Sequence, residues 1–397
     1  MAEENQFPSR RLDAIVLTMN ETALPGRADM YNSNVLKIGL FGANCSSGRA
    51  VTMVPERWQA SWRDNVKLAK MADAAGIDFL LPIGRWKGYG GDTDYQGATF
   101  ETITWATGLL AQTERINVFG TVHAPLFPPI IAAKQIVTAD HVGEGRFGLN
   151  IVCGWNEGEF EMFGVAPGDH ERRYAQGQEW IDALREIWSK NDFDFDGNFF
   201  HLHGVRAKPK PWNATRPMLM NAGSSPEGKG FAIRNCDALF TTARRANQEE
   251  AAFEEAARDV QTAKEQARAL GHEIGVYCVG VVTVRPTQRE ADEYTAYIDE
   301  HTDWNAVDSI MTMKGLNDRP PEVRAKIRAG YARGMGGLPI TGSPDAVAKQ
   351  LAEISAAGFN GLAISFINYL DELPYFRDEV LPRLERLGLR TPRTEKT

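Results

Sequence analysis

Several groups of residues have the types and spacing to do chemistry. The first is Asn150, set in the run Gly145-Arg146-Phe147-Gly148-Leu149-Asn150-Ile151-Val152-Cys153-Gly154-Trp155-Asn156-Glu157-Gly158-Glu159. Phe147 to Cys153 is apolar apart from that amide, which reads as a strand buried on both faces of a parallel sheet. An amide there is either a satisfied core group or a group aimed at a ligand, because an unpaired one costs free energy. The second group is Thr121-Val122-His123, ending another apolar run. The hydroxyl can hydrogen-bond a ligand, and the imidazole can be an acid, a base or a satisfied core side chain. The third is Asn221-Ala222-Gly223-Ser224-Ser225-Pro226-Glu227-Gly228. Free backbone N–H groups, hydroxyls and a helix start suit a phosphate, although an ordinary serine-capped helix has the same sequence. The fourth is Arg172-Arg173-Tyr174, where guanidinium groups match phosphate geometry or form a solvated pair.

His201-Leu202-His203 puts two imidazoles on one strand face, as a metal pair would need. It lies in an aromatic excursion with no acidic third ligand marked out, so a partly exposed hairpin is the better account. Trp86, Tyr89 and Trp155 fall on strand-end loops, where they can stack on a planar ring or cover the mouth of a barrel. No GxSxG, HExxH or P-loop motif is present.

The elements that must position these residues alternate along the chain. Buried strands are expected at Leu36–Ala43, Ile77–Ile83, Ile116–Val122, Phe147–Cys153, Pro217–Ala222, Ala238–Thr242, Ile274–Val284 and Gly361–Phe366. Helical spacing fills the gaps: Pro55–Ala75 closed by Gly76, Phe100–Gln112, Pro128–His141, Asp169–Ser189, Gln248–Leu270 and a helix capped by Ser343-Pro344. Eight strand–helix units predict an α/β fold, a (β/α)8 TIM barrel. A doubly wound sheet would favour GxGxxG after the first strand, and Asn44-Cys45-Ser46-Ser47-Gly48 stands there instead. Residues 1–34 form an expected N-terminal arm, and 35–390 one barrel domain with insertions near 191–211 and 291–333. The arm and the second insertion are candidate subunit contacts.

Composition narrows the class. The chain has 397 residues, 43% hydrophobic and 24% charged, which is ordinary for a globular enzyme. A formal net charge of -8 without a basic block argues against nucleic acid. Cys45, Cys153, Cys236 and Cys278 form no CxxC pair and read as reduced core residues. No signal peptide or membrane-length apolar run is apparent, so a cytoplasmic protein is expected.

An ordered series of segments resembles the bacterial-luciferase-like, flavin-dependent monooxygenases. It runs Ile83-Gly84-Arg85-Trp86-Lys87-Gly88-Tyr89-Gly90-Gly91, Gly145 to Asn150, Gly154-Trp155 with Glu159 and Gly164, Arg172-Arg173-Tyr174, Asn198-Phe199-Phe200 and Ala222-Gly223-Ser224-Ser225. The branch it resembles acts on pyrimidines or dimethylsulfone. The resemblance implies a luciferase-like barrel that takes FMN as FMNH2 together with O2. It implies FMN contacts from Gly84, Arg85, Asn150 and Glu159, with Arg85 standing where the family usually has lysine. Arg173, Tyr174, Ser224 and Ser225 fall toward the phosphate, and Trp86 and Trp155 border the substrate pocket. Thr121 and Asn150 match the pair that holds dioxygen near the flavin N5. His123 replaces a small residue and joins the catalytic candidates.

The implied reaction is attack by a flavin-N5-peroxide on an electron-poor carbon of a heterocyclic or halogenated aromatic substrate, opening a ring amide or removing a leaving group. Reduced flavin is expected from a separate NAD(P)H:flavin reductase, in a two-component system built on a homodimer or homotetramer. Alternatives on the same barrel are sulfone C–S cleavage, a deazaflavin-dependent oxidoreductase and a non-catalytic flavin-binding protein. A metal-dependent hydrolase is remote, and no metal site is assigned.

Overall fold

The computed structural model describes residues 30–166, 168–241 and 250–392. Its strands are β1 (Lys37–Phe41), β2 (Phe79–Leu81), β3 (Asn117–His123), β4 (Phe147–Val152), β5 (Asp192–Asp196), β6 (His201–Arg206), β7 (Met218–Ala222), β8 (Ala238–Thr241), β9 (Gly275–Val284), β10 (Leu338–Gly342) and β11 (Gly361–Ser365). Its helices are α1 (Trp62–Ala75), α2 (Thr102–Leu110), α3 (Pro129–Val142), α4 (Glu157–Met162), α5 (His170–Ser189), α6 (Pro226–Asn235), α7 (Glu250–Ala269), α8 (Gln288–Glu300), α9 (Trp304–Met313), α10 (Pro321–Ala332), α11 (Pro344–Ala356), α12 (Tyr369–Tyr375) and α13 (Leu381–Arg386).

Strands β11-β1-β2-β3-β4-β7-β8-β9 pair in parallel, and β9 returns to β11, so eight strands close a ring. This is the expected (β/α)8 barrel. Each apolar run becomes a strand because both of its faces are covered, one by the lumen and one by helices. Inside, Phe79, Phe119, Met218, Met220 and Tyr277 form a separate buried cluster. Gly148 is required there: a Cβ at that position would stand 2.4 Å from the Phe119 ring. Local signals set the helix ends. Ser61 accepts from the Asp64 N–H to start α1, and Gly76 ends it at a φ of 77°. Ser343 and Pro344 open α11 in the expected way.

Three features differ from or refine the expectations. Residues Pro55–Ser61 are loop, and α1 begins at Trp62. A ninth parallel strand, β10, pairs with the carboxyl half of β9. It escaped notice because Pro339 interrupts a five-residue run that follows a glycine-rich turn. The insertion expected near 291–333 is a set of three helices, α8 to α10.

Residues 191–211 form the expected antiparallel hairpin, β5 with β6. Most of the N-terminal arm lies outside the described residues. Its last five described residues fold back on this chain's own barrel. Met30 is buried with the lumen cluster, and its N–H donates to Asn117 Oδ1 at 3.1 Å. Asn32, Asn34 and Arg390 all donate to the buried Asp78 carboxylate. Among the described residues, no helix is long and apolar enough to cross a membrane.

Candidate active site

The carboxyl ends of β2, β3 and β4 carry the central group. Register pairs Thr121 with Asn150 across β3 and β4. Asn150 Nδ2 donates to Thr121 Oγ1 at 3.2 Å, and Thr121 Oγ1 donates to the Pro82 carbonyl at 2.8 Å. Both side chains are buried. Asn150 Oδ1 has no partner, which is costly for a buried amide unless a ligand supplies one. Gly84 packs onto this pair: a Cβ there would meet Thr121 Cγ2 at 3.0 Å and His123 Cε1 at 2.9 Å.

The loop after β2 is held by one carboxylate. Glu159, at the start of α4, is 2% exposed. Its Oε1 accepts from Arg85 Nη1 at 3.0 Å, from the Trp86 N–H at 2.9 Å and from the Lys87 N–H at 3.3 Å. Its Oε2 lies 3.9 Å from His123 Nε2. Arg85 also donates to the Tyr89 hydroxyl at 2.8 Å. Burial pulls His123 down to about 4, against the opposing effect of Glu159, so the imidazole is neutral at neutral pH. Its Nδ1 is buried without a partner.

A second centre forms where α5 and α6 begin. Ser225 caps α6, accepting from the Gly228 N–H at 3.1 Å. Gly223 lets the strand end close on this helix: a Cβ there would stand 2.5 Å from the Gly228 carbonyl carbon. Tyr174 bonds to Ser225 and leans on Gly228. Arg173 Nη1 donates to the Gly168 carbonyl at 2.8 Å, while its buried Nε has no acceptor. Ser224 is exposed between strand and helix. A ten-residue helix start with the Ser225 and Tyr174 hydroxyls beside it and a guanidinium with an open N–H can take a phosphate.

The remaining wall is aromatic and cationic. Trp86 packs edge-on to Phe163 at 5.1 Å, and Trp155 is 37% exposed. Arg85 lies over the Trp155 ring at 5.4 Å and Lys314, just past α9, at 4.5 Å. The helices α8 to α10 fold onto the loops after β1 and β2. Thr93 donates to Asp303, Arg49 donates to the carbonyls of Gly334 and Met335, and Val51, Tyr89 and Tyr95 pack with Ala306, Val307 and Ile310. The segment proposed from sequence as a subunit contact thus walls this chain's own barrel mouth.

The structure therefore brings Thr121, Asn150, Gly84, Arg85, Glu159, His123 and Trp155 to one end of the barrel, with Arg173, Tyr174 and Ser225 beside it. His201 is on the exposed hairpin paired with Asp196, away from these residues. Among the described residues, no three metal-binding side chains cluster. All four cysteines are buried and free. Sequence reasoning missed Arg49 and Lys314. Neither sits in a motif, and only the folding of the insertion over the barrel brings them together.

Comparison with known proteins agrees with the barrel fold. Residues 36–361 match the model of the family described as luciferase-like monooxygenase. An FMNH(2)-dependent dimethylsulfone monooxygenase of Pseudomonas putida is 29% identical over 364 residues, covering 89% of this chain and 97% of that one. Pyrimidine monooxygenase RutA of Enterobacter sp. (strain 638) is 29% identical over 358 residues, covering 88% and 96%. Among solved structures, riboflavin lyase (RcaE), with modified FMN and riboflavin, superposes with a TM-score of 0.80 at 19% identity, covering 90% and 92%. The match spans seven of the eight ring strands, ends where β11 begins, and includes every candidate residue above, and the chain belongs to the luciferase-like monooxygenase family.

Proposed function

We propose that this protein is an FMN-dependent monooxygenase that uses reduced FMN and dioxygen to oxygenate a small molecule at the barrel mouth. One observation carries the reading: Asn150 and Thr121 meet at 3.2 Å in a buried setting, which engages one of the two Asn150 Nδ2–H donors and leaves its Oδ1 acceptor without a partner. The residues present fit the cofactor. Asn150 Oδ1 and His123 Nδ1 are open hydrogen-bonding atoms at the strand ends. The α6 N-terminus with Ser225, Tyr174 and Arg173 suits the phosphate, with Ser224 at its rim. Gly84, Arg85 and Glu159 shape the adjoining wall.

When bound, reduced FMN supplies the two electrons that dioxygen needs, which side chains cannot provide. One oxygen atom enters the substrate and the other leaves as water. Asn150 and Thr121 donate hydrogen bonds to anionic oxygen without being strong acids. Thr121 does so by turning its hydroxyl away from Pro82. His123 is neutral near pH 7, so it does not protonate that oxygen. Anionic oxygen kept unprotonated is a nucleophile, which favours attack on an electron-poor carbon of a heterocyclic or halogenated aromatic ring. Trp86 and Trp155 present flat apolar faces for such a ring.

The proposal includes a separate NAD(P)H:flavin reductase, since the chain has no dinucleotide fingerprint after β1, and a homodimer or homotetramer. The test mixes the protein with chemically reduced FMN, ¹⁸O₂ and a panel of electron-poor rings and sulfones. The expected product carries one labelled oxygen, with the other label in water. Unlabelled product, or turnover without oxygen consumption, sinks the reading and points to hydride transfer.

A further inference from the structure

Three cations converge on the barrel mouth, and among the described residues only Arg85 has a carboxylate within ion-pairing distance, Glu159. Arg49 is 9% exposed. Its guanidinium lies over the Phe41 ring at 5.0 Å. That ring in turn meets Phe240 at 5.3 Å. Strands β1 and β8 are not neighbours in the ring of strands, so these two aromatics meet across the lumen and Arg49 caps it.

Arg49 Nη2 donates to the carbonyls of Gly334 and Met335 at 2.8 and 3.1 Å, but its buried Nε has no acceptor. Met335 accepts a left-handed φ of 58° in the turn that supplies those carbonyls. Lys314 reaches in from the other side and rests over Trp155 at 4.5 Å and Tyr331 at 5.6 Å, with no carboxylate partner. Desolvation of its ammonium disfavours its charge most, and nearby Arg49 and Arg85 add to this. Like charges held together in an apolar setting are unfavourable unless an anion joins them.

We infer that Arg49 and Lys314 recognise an anionic headgroup, a carboxylate or sulfonate, on the small-molecule substrate. This rests on reading the barrel mouth as the oxygenation site, and it narrows the substrate class to organic oxyanions. Arg49 offers a fixed, directional N–H at the lumen, and Lys314 a point charge on a flexible stem.

Calorimetric titration of the FMN-loaded protein with benzoate, methanesulfonate and neutral benzamide tests this. At least one anion is expected to bind saturably, with benzamide much weaker. Lys314→Met and Arg49→Met are each expected to weaken the anion about tenfold or more, a loss equivalent to about 1.4 kcal/mol, with benzamide and FMN affinity unchanged. Arg49→Lys should recover part of the loss. Lys314 is exposed as a residue at the end of α9 although its ammonium is partly desolvated, so its variant reads the effect even if Arg49→Met disturbs the turn at Gly334. The inference is overturned if no anion binds, if benzamide and the anions weaken alike, or if the variants lose reduced FMN while anion binding holds. Absence of FMN binding to the wild-type chain would be the separate failure of the monooxygenase reading, and titration of the unloaded chain with the same anions remains decisive.

Discussion

Asn150 Nδ2 stands 3.2 Å from Thr121 Oγ1, and that hydroxyl is already engaged with the Pro82 carbonyl at 2.8 Å. The amide thus keeps a second Nδ2–H to donate and an open Oδ1 to accept, and the threonine orients it. Asn150→Ala is expected to lower product formed per reduced FMN oxidised by about 10²-fold or more, the loss typical of one preorganised donor. Thr121→Val should lose less. Single-turnover mixing of reduced FMN with oxygen, with product quantified, separates lost oxygenation from simple flavin autoxidation. Normal product yield from Asn150→Ala would remove the basis of the mechanism.

Glu159 ties the loop after β2 to α4 through Arg85 and two backbone N–H groups. Removing one partner leaves a buried charge alone, which typically costs about 3–5 kcal/mol. Glu159→Gln should therefore destabilise strongly, and Arg85→Met combined with it should destabilise by less than the sum of the two. Urea unfolding of both single variants and the double variant measures that coupling.

His123 gives a pH signature. Its folded value of about 4 lies below the ordinary 6.5, because burial disfavours the imidazolium. Between these values the unfolded chain binds a proton that the folded chain refuses. Stability from this group is complete above pH 6.5 and falls as the pH drops toward 4, with a slope of at most about 1.4 kcal/mol per pH unit. His123→Gln should flatten the acid side of the stability profile. An unchanged profile would place the acid sensitivity elsewhere.

The phosphate reading separates FMN from riboflavin. Arg173→Met and Tyr174→Phe are each expected to weaken oxidised FMN about tenfold and to leave riboflavin unchanged. Fluorescence quenching of both flavins measures this. Equal losses for the two would mean that these side chains support the fold of α5 rather than a phosphate.

Much of this protein was legible in its sequence because the strands are short apolar runs whose burial on both faces leaves one pattern. The alternation from Leu36 to Phe366 was enough for the barrel, and Ser225, Ser343 and Gly76 mark helix ends by local chemistry alone. The Thr121–Asn150 pair was legible as two polar residues at strand ends, although their contact depends on a register that neither strand states by itself. The tertiary structure decided the rest. Strand β10 hid behind Pro339, since pairing with β9 rather than local propensity makes it a strand. Arg49 looks like any loop arginine and Lys314 like any helix-end lysine. Their meaning arises only when α8 to α10 fold over the mouth and leave two charges beside Trp155 and Phe41 with no carboxylate to meet them. Propensity and periodicity act over neighbouring residues, whereas burial of a charge is set by whatever the rest of the chain brings next to it.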